Sequence, residues 1–97
     1  MTTFFMFGKY SSDALKKISS DRTRKAVNTI QTFGGRVKSV YALLGGHDLV
    51  FIVNLPSAAQ ATMVSIALTK ITGISFTTET AIPIDQFDEL AKKLGSR

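Results

Sequence analysis

The fold is decided by the stretch Val40–Asn54, which reads VYALLGGHDLVFIVN. Glycine adopts positive φ at little steric cost, and a two-residue hairpin turn of type I′ or II′ requires that conformation. The residues on both sides of Gly45-Gly46 are mostly aliphatic, β-branched or aromatic, which favours strands. The stretch therefore predicts two strands, roughly Arg36–Leu44 and His47–Leu55, joined by a Gly-Gly turn.

The second predicted strand is apolar on both of its faces. Leu49, Phe51 and Val53 point to one side, and Val50 and Ile52 point to the other, since side chains alternate along a strand. A sheet covered by helices on one side only is expected to alternate apolar with polar residues. We therefore expect something to cover the second face as well.

The rest of the chain supplies helices and two more strands. The predicted elements are a strand over residues 2–10, a helix from about Ser20 to Phe33 that stops at Gly34-Gly35, a helix over residues 58–72, a strand over residues 74–84 and a short helix capped by Asp85. Helical spacing predicts that the second main helix buries Met63, Val64, Ala67, Leu68 and Ile71. The order β-α-β-β-α-β plus a C-terminal helix predicts an α+β fold, the ferredoxin-like sandwich with both main helices on one face of an antiparallel sheet.

This plan leaves one sheet face bare, although the strands are apolar on both faces. The economical solution is a second copy that packs sheet against sheet about a two-fold axis. The hydrophobic content of 44% and the mean hydropathy of +0.16 also indicate apolar surface that a partner would cover. We therefore predict a homo-oligomer, a dimer or a higher even number, assembled as a dimeric α/β barrel.

Composition limits the class of protein further. The 97 residues suit a single domain over residues 1–97, and the lack of cysteine excludes disulfides and thiolate metal sites. The N-terminus does not resemble a signal peptide, and no apolar run is long enough to span a bilayer, so we expect a cytoplasmic protein. No motif indicates a cofactor, and we expect no metal site because the chain has a single histidine.

The net charge of +5 comes mostly from the first half of the chain. The basic residues around the first helix are Lys16, Lys17, Arg22, Arg24 and Lys25. They fit a surface for nucleic acid or anions, but a solvated helix face is the preferred interpretation because no nucleic-acid motif accompanies them. RNA recognition is disfavoured in addition, since residues 49–53 read LVFIV and lack the basic-Gly-aromatic run of that module.

Several segments together resemble a known family. They are Gly8-Lys9-Tyr10, residues 35–45 (GRVKSVYALLG), residues 48–53 (DLVFIV), Leu68-Thr69-Lys70 with Thr72-Gly73, and Phe76-Thr77-Thr78. In this order and spacing the chain resembles a GYD-domain protein over nearly its whole length. The resemblance implies a ferredoxin-like fold related to the dimeric α/β barrels and no established activity. Gly46-His47-Asp48 has histidine where the family name implies tyrosine, which puts any role of that hydroxyl in doubt.

His47 and Asp48 are the most chemically suggestive pair in the sequence. A carboxylate near an imidazole raises its basicity, as a general base requires. Adjacent strand residues point to opposite faces, and aspartate commonly bonds the backbone beside a turn, so the structural interpretation is preferred. Tyr10, Tyr41 and Thr78 are candidate ligand-binding residues, because their hydroxyls can orient a ligand in a cavity. For the tyrosines, aromatic packing with a hydrogen-bonded hydroxyl is the preferred interpretation. For Thr78 the alternative is an exposed side of the strand.

Three hypotheses about function follow. The leading one is a non-enzymatic, homo-oligomeric module that senses a small molecule or serves as an accessory protein. The second is a small enzyme of the dimeric α/β-barrel type, with a pocket near His47 and Asp48 and with Tyr41 or Tyr10 orienting the substrate. The third is accessory binding of an anion or a nucleic acid through the basic first helix, with nucleic acid the less favoured partner.

Overall fold

The computed structural model describes residues 1–95 and arranges them as an antiparallel sheet with helices. In chain order the elements are β1 (Thr2–Lys9), α1 (Ser12–Lys16), α2 (Ser20–Thr32), β2 (Arg36–Ala42), β3 (Leu49–Leu55), α3 (Ala58–Thr72), β4 (Ser75–Ala81) and α4 (Ile84–Gly95). The strand order is β2-β3-β1-β4, which puts β4 at one edge, the position in a sheet that tolerates a proline such as Pro83 beside it. The predicted ferredoxin-like plan with an added C-terminal helix is confirmed.

Capping residues fix where the main helices begin and end. The hydroxyl of Ser19 accepts a hydrogen bond from the N–H of Arg22 at 3.1 Å, and Ser57 accepts one from Gln60 at 3.3 Å. Each bond satisfies an N–H that the first helical turn leaves without a partner. Helix α3 ends at Gly73, whose φ of +73° is the left-handed conformation that favours glycine at a helix end.

The core lies between the helices and one face of the sheet. Its most deeply buried side chains come from strands and helices alike: Met6, Ile30, Val53, Leu55, Val64 and Leu68. Gly8 belongs to this packing, because a Cβ at that position would lie 2.5 Å from Leu49 Cδ2. The glycine of the Gly8-Lys9-Tyr10 segment therefore allows β1 to approach Leu49 closely.

The predicted two-residue Gly-Gly turn is wrong, because β2 ends at Ala42 and β3 begins at Leu49. The backbone N–H of Leu43 donates to the carbonyl of Asp48 at 2.8 Å, which closes a wider loop over residues 43–48. Asp48 is not available for a tight hairpin, since its own N–H donates to the carbonyl of Gly8 at 2.8 Å. Pairing with β1 therefore decides where β3 begins.

The predicted buried face of α3 is partly wrong. Val64 and Leu68 are fully buried, but Met63 is 46% exposed and Ile71 is 49% exposed, and Ala67 is half-buried. Helix α3 lies in a single layer over the sheet, so only the narrow stripe that faces the strands is covered. Met63, Ile66 and Ile71 face outwards.

Candidate functional site

The sheet face opposite α2 and α3, which we call the open face, carries a group of apolar side chains. Its members are Phe5, Phe7, Tyr41, Val50 and Ile52. Phe5 pairs with Ile52 across the strands, and Val50 pairs with Phe7 on one side and with Tyr41 on the other. Alternation along the strands directs these side chains away from the buried core. The open face is thus apolar at its centre.

His47 extends the aromatic part of the open face. Its ring centroid lies 4.8 Å from that of Phe7, with the two planes inclined at 38°. Phe7 in turn lies 6.2 Å from Phe5 between ring centroids. These separations fall within the range of favourable aromatic pairs. The imidazole therefore packs as the end of a row of rings.

Asp48 holds two segments of the chain together. Its Oδ2 accepts a hydrogen bond of 2.7 Å from the backbone N–H of Tyr10, which follows β1. Its own N–H donates to Gly8. Within residues 1–95, His47 and Asp48 therefore contact different partners, and the carboxylate is not directed at the imidazole. The pair does not form the dyad that a general base would need.

Tyr10 borders a cavity too small for a ligand. The cavity has a volume of about 40 Å³, which is room for water, and it is also lined by Arg22 and the buried Thr72. The Arg22 guanidinium carbon lies 5.4 Å from the centre of the Tyr10 ring, a cation–π arrangement. Arg22 also donates to the carbonyl of Ala14. These contacts join α2 to the residues that follow β1.

A groove on the open face is large enough for a small molecule. Its volume is about 230 Å³, and its lining residues are Thr3, Phe5, Lys38, Ile52, Ala81, Ile82 and Pro83. Lys38 enters this lining through a β-bulge, because the register of β2 with β3 shifts between Val37 and Ser39. Bulges redirect side chains in this way. Sequence reasoning missed Lys38, since its local sequence carries no sign of the bulge.

A second groove runs between α3 and β4 on the helix side of the sheet, and we call it the α3–β4 groove. It consists of adjoining spaces of about 300 Å³ and 410 Å³. Ser65, Ile66 and Phe76 line both spaces, and Lys70 lies at one end. The hydroxyls of Ser65 and Thr78 are hydrogen-bonded to each other across this groove at 2.7 Å.

The three predicted ligand-binding residues lie apart from one another. Tyr41 is on β2 and is 56% exposed, Thr78 is on β4 at the opposite edge of the sheet, and Tyr10 lies beyond β1. Tyr41 and Thr78 also occupy different faces, because Thr78 reaches Ser65 on the helix side. These residues do not form one site within a single copy, and their roles stay predictions.

Two residues of the predicted basic cluster form ion pairs with aspartates close to them in sequence. Lys17 lies 3.1 Å from Asp13, and Arg24 lies 2.7 Å from Asp21. The described residues contain no group of three or more histidine, cysteine, aspartate or glutamate side chains that could hold a metal ion. Among the helices of residues 1–95, none is both long and apolar enough to cross a membrane.

The fold resembles those of known regulators. The leucine response regulatory protein LrpA of Mycobacterium tuberculosis is 12% identical with a TM-score of 0.56, over 84% of this chain and 51% of that one. An AsnC family transcriptional regulator from Agrobacterium tumefaciens is 17% identical with a TM-score of 0.58, over 84% and 50%. The chain therefore spans about half the length of these regulators. At such identities the likeness shows a shared fold.

A protein of similar length has the same fold. TTHA0845 from Thermus thermophilus is 21% identical with a TM-score of 0.55, over 86% of this chain and 95% of that one. No curated protein matches the chain in sequence. The family model described as GYD domain matches residues 4–91, which is most of the chain. This match confirms the resemblance in the sequence: the chain belongs to the GYD domain family.

Proposed function

We propose that the protein is a homodimeric, non-enzymatic module that senses a small molecule, and that two copies meet through their open faces. The open face carries this proposal. Phe5, Phe7 and Ile52 are only half-buried within one copy, and water contact with such side chains costs about 25 cal/mol per Å² of apolar area. A second sheet packed at about 10 Å would remove that contact.

The groove beside Lys38 is the proposed ligand site. It combines apolar walls, from Phe5 and Ile52, with a single cation placed there by the bulge. A small molecule with a carboxylate and an apolar part matches that lining, since pockets of this kind bind by apolar burial with a few polar contacts. The groove opens on the face that the second copy would cover. Ligand binding and dimerisation are therefore expected to influence each other.

The structural neighbours support a sensing role by their names. One is a leucine response regulatory protein and another an AsnC family transcriptional regulator. This chain spans about half of each, so regulation of transcription is not proposed for it. What we propose is ligand sensing by a single domain over residues 1–97, located in the cytoplasm. An enzymatic role for His47 and Asp48 is not favoured, because the Asp48 carboxylate is bonded to the backbone of Tyr10.

Sedimentation analysis of Ile52→Asp tests the proposal. A carboxylate in the middle of the open face would be desolvated in the dimer, so this variant should be monomeric at concentrations where the unmodified protein is dimeric. Lys25→Asp on the exposed side of α2 is the matched control and should remain dimeric. An unchanged dimer in Ile52→Asp would show that the open face is not the interface.

Leucine is the first ligand to try, because of the neighbour's name. Leucine or a related small carboxylate should raise the melting temperature of the unmodified protein. Lys38→Met should need about ten times more ligand for the same rise, as loss of a charged hydrogen bond implies. Lys16→Met removes a cation elsewhere and should behave as the unmodified protein. Equal responses in all three proteins would show that Lys38 is not part of the ligand site.

A further inference from the structure

Helix α4 is an amphipathic helix with every residue exposed. Its apolar stripe includes Phe87 at 53% exposure, Leu90 at 47% and Leu94 at 77%. A helix of 12 residues is marginally stable in water by itself, and a helix with an apolar stripe ordinarily packs that stripe against another surface. The open face proposed as the dimer interface does not include α4. We therefore expect α4 to pack its apolar stripe against another surface.

The α3–β4 groove has dimensions that suit a helix. Its α3 wall extends from Ala58 to Lys70, which at 1.5 Å per residue is about 18 Å. Helix α4 has 12 residues and the same length, about 18 Å. The groove offers the apolar side chains of Ile66 and Phe76, together with small residues that allow close approach of a helix. Its apolar parts complement the stripe of α4.

Charge decides the direction in which α4 would lie. Lys70 is at the end of the groove nearest the C-terminus of α3, whereas Asp85 and Asp88 are near the beginning of α4. An antiparallel arrangement brings these opposite charges together and also opposes the two helix dipoles, which is favourable. A parallel arrangement would place Lys92 and Lys93 beside Lys70 instead.

The chain's own α4 is suited only to the unfavourable direction. Helix α3 runs antiparallel to β4, because it returns across the sheet from the end of β3 to the start of β4. Ile84 follows the end of β4 closely and hence begins near the N-terminus of α3. If α4 folded back into its own groove, it would run parallel to α3. A helix that enters the groove from another copy can lie antiparallel to α3.

We propose that α4 of one copy lies antiparallel to α3 in the α3–β4 groove of a second copy, and reciprocally. This inference rests on the proposed dimer. In projection, a four-stranded face is about 19 Å by 23 Å, or on the order of 440 Å², whereas a standard interface buries about 800 Å² per partner. Two reciprocally docked helices would extend the interface towards that size.

Cross-linking tests the docking, and the absence of native cysteine makes engineered pairs unambiguous. The double variant Thr69→Cys, Ile84→Cys places one thiol near the C-terminus of α3 and one at the start of α4. Both positions are exposed, and the antiparallel arrangement brings them together across the two copies. A short bismaleimide should link two chains, giving a covalent dimer on a denaturing gel. Lys25→Cys with Ile84→Cys is the control for random collision and should give at least tenfold less dimer.

The remaining outcomes separate this inference from the proposed dimer. Sedimentation of the untreated variants reports whether dimers exist at all. Dimers without a specific Thr69–Ile84 link would overturn the docking of α4 and leave the proposed function standing. Monomers would overturn both. A second double variant, Thr69→Cys with Leu94→Cys, tests whether α4 lies in the groove of its own chain. A cross-link within one chain of this variant would also overturn the proposal.

A charge exchange gives a second readout without cross-linking. Lys70→Glu should weaken the dimer about two- to fivefold, as expected for an exposed ion pair. Adding Asp85→Lys in the same chain should restore the dimer, because each copy then carries both reversed charges. Failure of the second substitution to restore affinity, with both variants folded by circular dichroism, would contradict the antiparallel arrangement.

Discussion

The carboxylate of Asp48 accepts a hydrogen bond from the backbone N–H of Tyr10 at 2.7 Å, across 38 positions of sequence. This contact joins the start of β3 to the segment that leaves β1. It also explains why the loop over residues 43–48 is wider than a two-residue turn, since Asp48 is held by β1 through its side chain and its own N–H. Asp48 is therefore a structural residue of the sheet.

Replacement of Asp48 by alanine should destabilise the protein. The substitution removes a hydrogen bond to a charged acceptor and leaves the N–H of Tyr10 without a partner, which costs about 1.5–3 kcal/mol of unfolding free energy. Asp48→Asn keeps an acceptor oxygen and should cost less. Urea unfolding of the three proteins measures the difference. Equal stability of Asp48→Ala and the unmodified protein would contradict the role assigned to this carboxylate.

Gly8 should not tolerate a side chain. In Gly8→Ala the new Cβ would meet Leu49 Cδ2 at 2.5 Å and Ile74 Cγ2 at 3.0 Å, and overpacking of this kind costs about 1–3 kcal/mol. Gly46→Ala is the control, because a Cβ there meets nothing within 4 Å. Thermal unfolding followed by circular dichroism should show a lower melting temperature for Gly8→Ala and an unchanged one for Gly46→Ala.

His47 should contribute to dimerisation through the packing of its ring. His47→Tyr keeps an aromatic ring against Phe7 and should preserve the dimer. His47→Asp puts a carboxylate beside the open face and should weaken the dimer at least tenfold, because the dimer would desolvate that charge. Sedimentation at several concentrations provides the dissociation constants. A dimer weakened by His47→Tyr and spared by His47→Asp would reverse this interpretation.

Polar residues in the stripe of α4 should affect assembly and spare the fold. Phe87→Ser with Leu90→Ser replaces two exposed residues, so the unfolding free energy of the monomer should change by less than about 0.5 kcal/mol. The dimer should become weaker by at least tenfold, because apolar burial at the interface is lost. Glu89→Ser alone, an exposed position on the side of the same helix away from the stripe, is the control for a general effect on helicity.

Most of the fold could be predicted from the sequence, because the signals for it are local. Such local signals are Ser57 at the start of α3, Gly73 at its end and Pro83 beside the edge strand β4. The length of the hairpin loop was wrong because it depends on the contact between Asp48 and Tyr10, which are distant in sequence. A Gly-Gly pair permits a tight turn but does not require one.

The candidate site could be predicted only in part. The apolar open face follows from the alternation in β3. His47 and Asp48 are separated for a different reason from the one the sequence suggested, because both lie in the loop before β3 and Asp48 bonds the backbone of Tyr10. Lys38 was missed because a bulge arises from pairing between strands and leaves no mark on a single strand. The α3–β4 groove was missed because it depends on how far α3 lies from the edge strand. Only the assembled sheet and helix layer define that spacing.

Native mass spectrometry of the unmodified protein tests the central claim most directly. We predict a dimer, since the open face and α4 both present apolar side chains that one copy leaves exposed. Added mass on that oligomer, removed by denaturation, would identify the class of the sensed ligand. A monomer at micromolar concentration in a near-neutral volatile buffer would contradict the account.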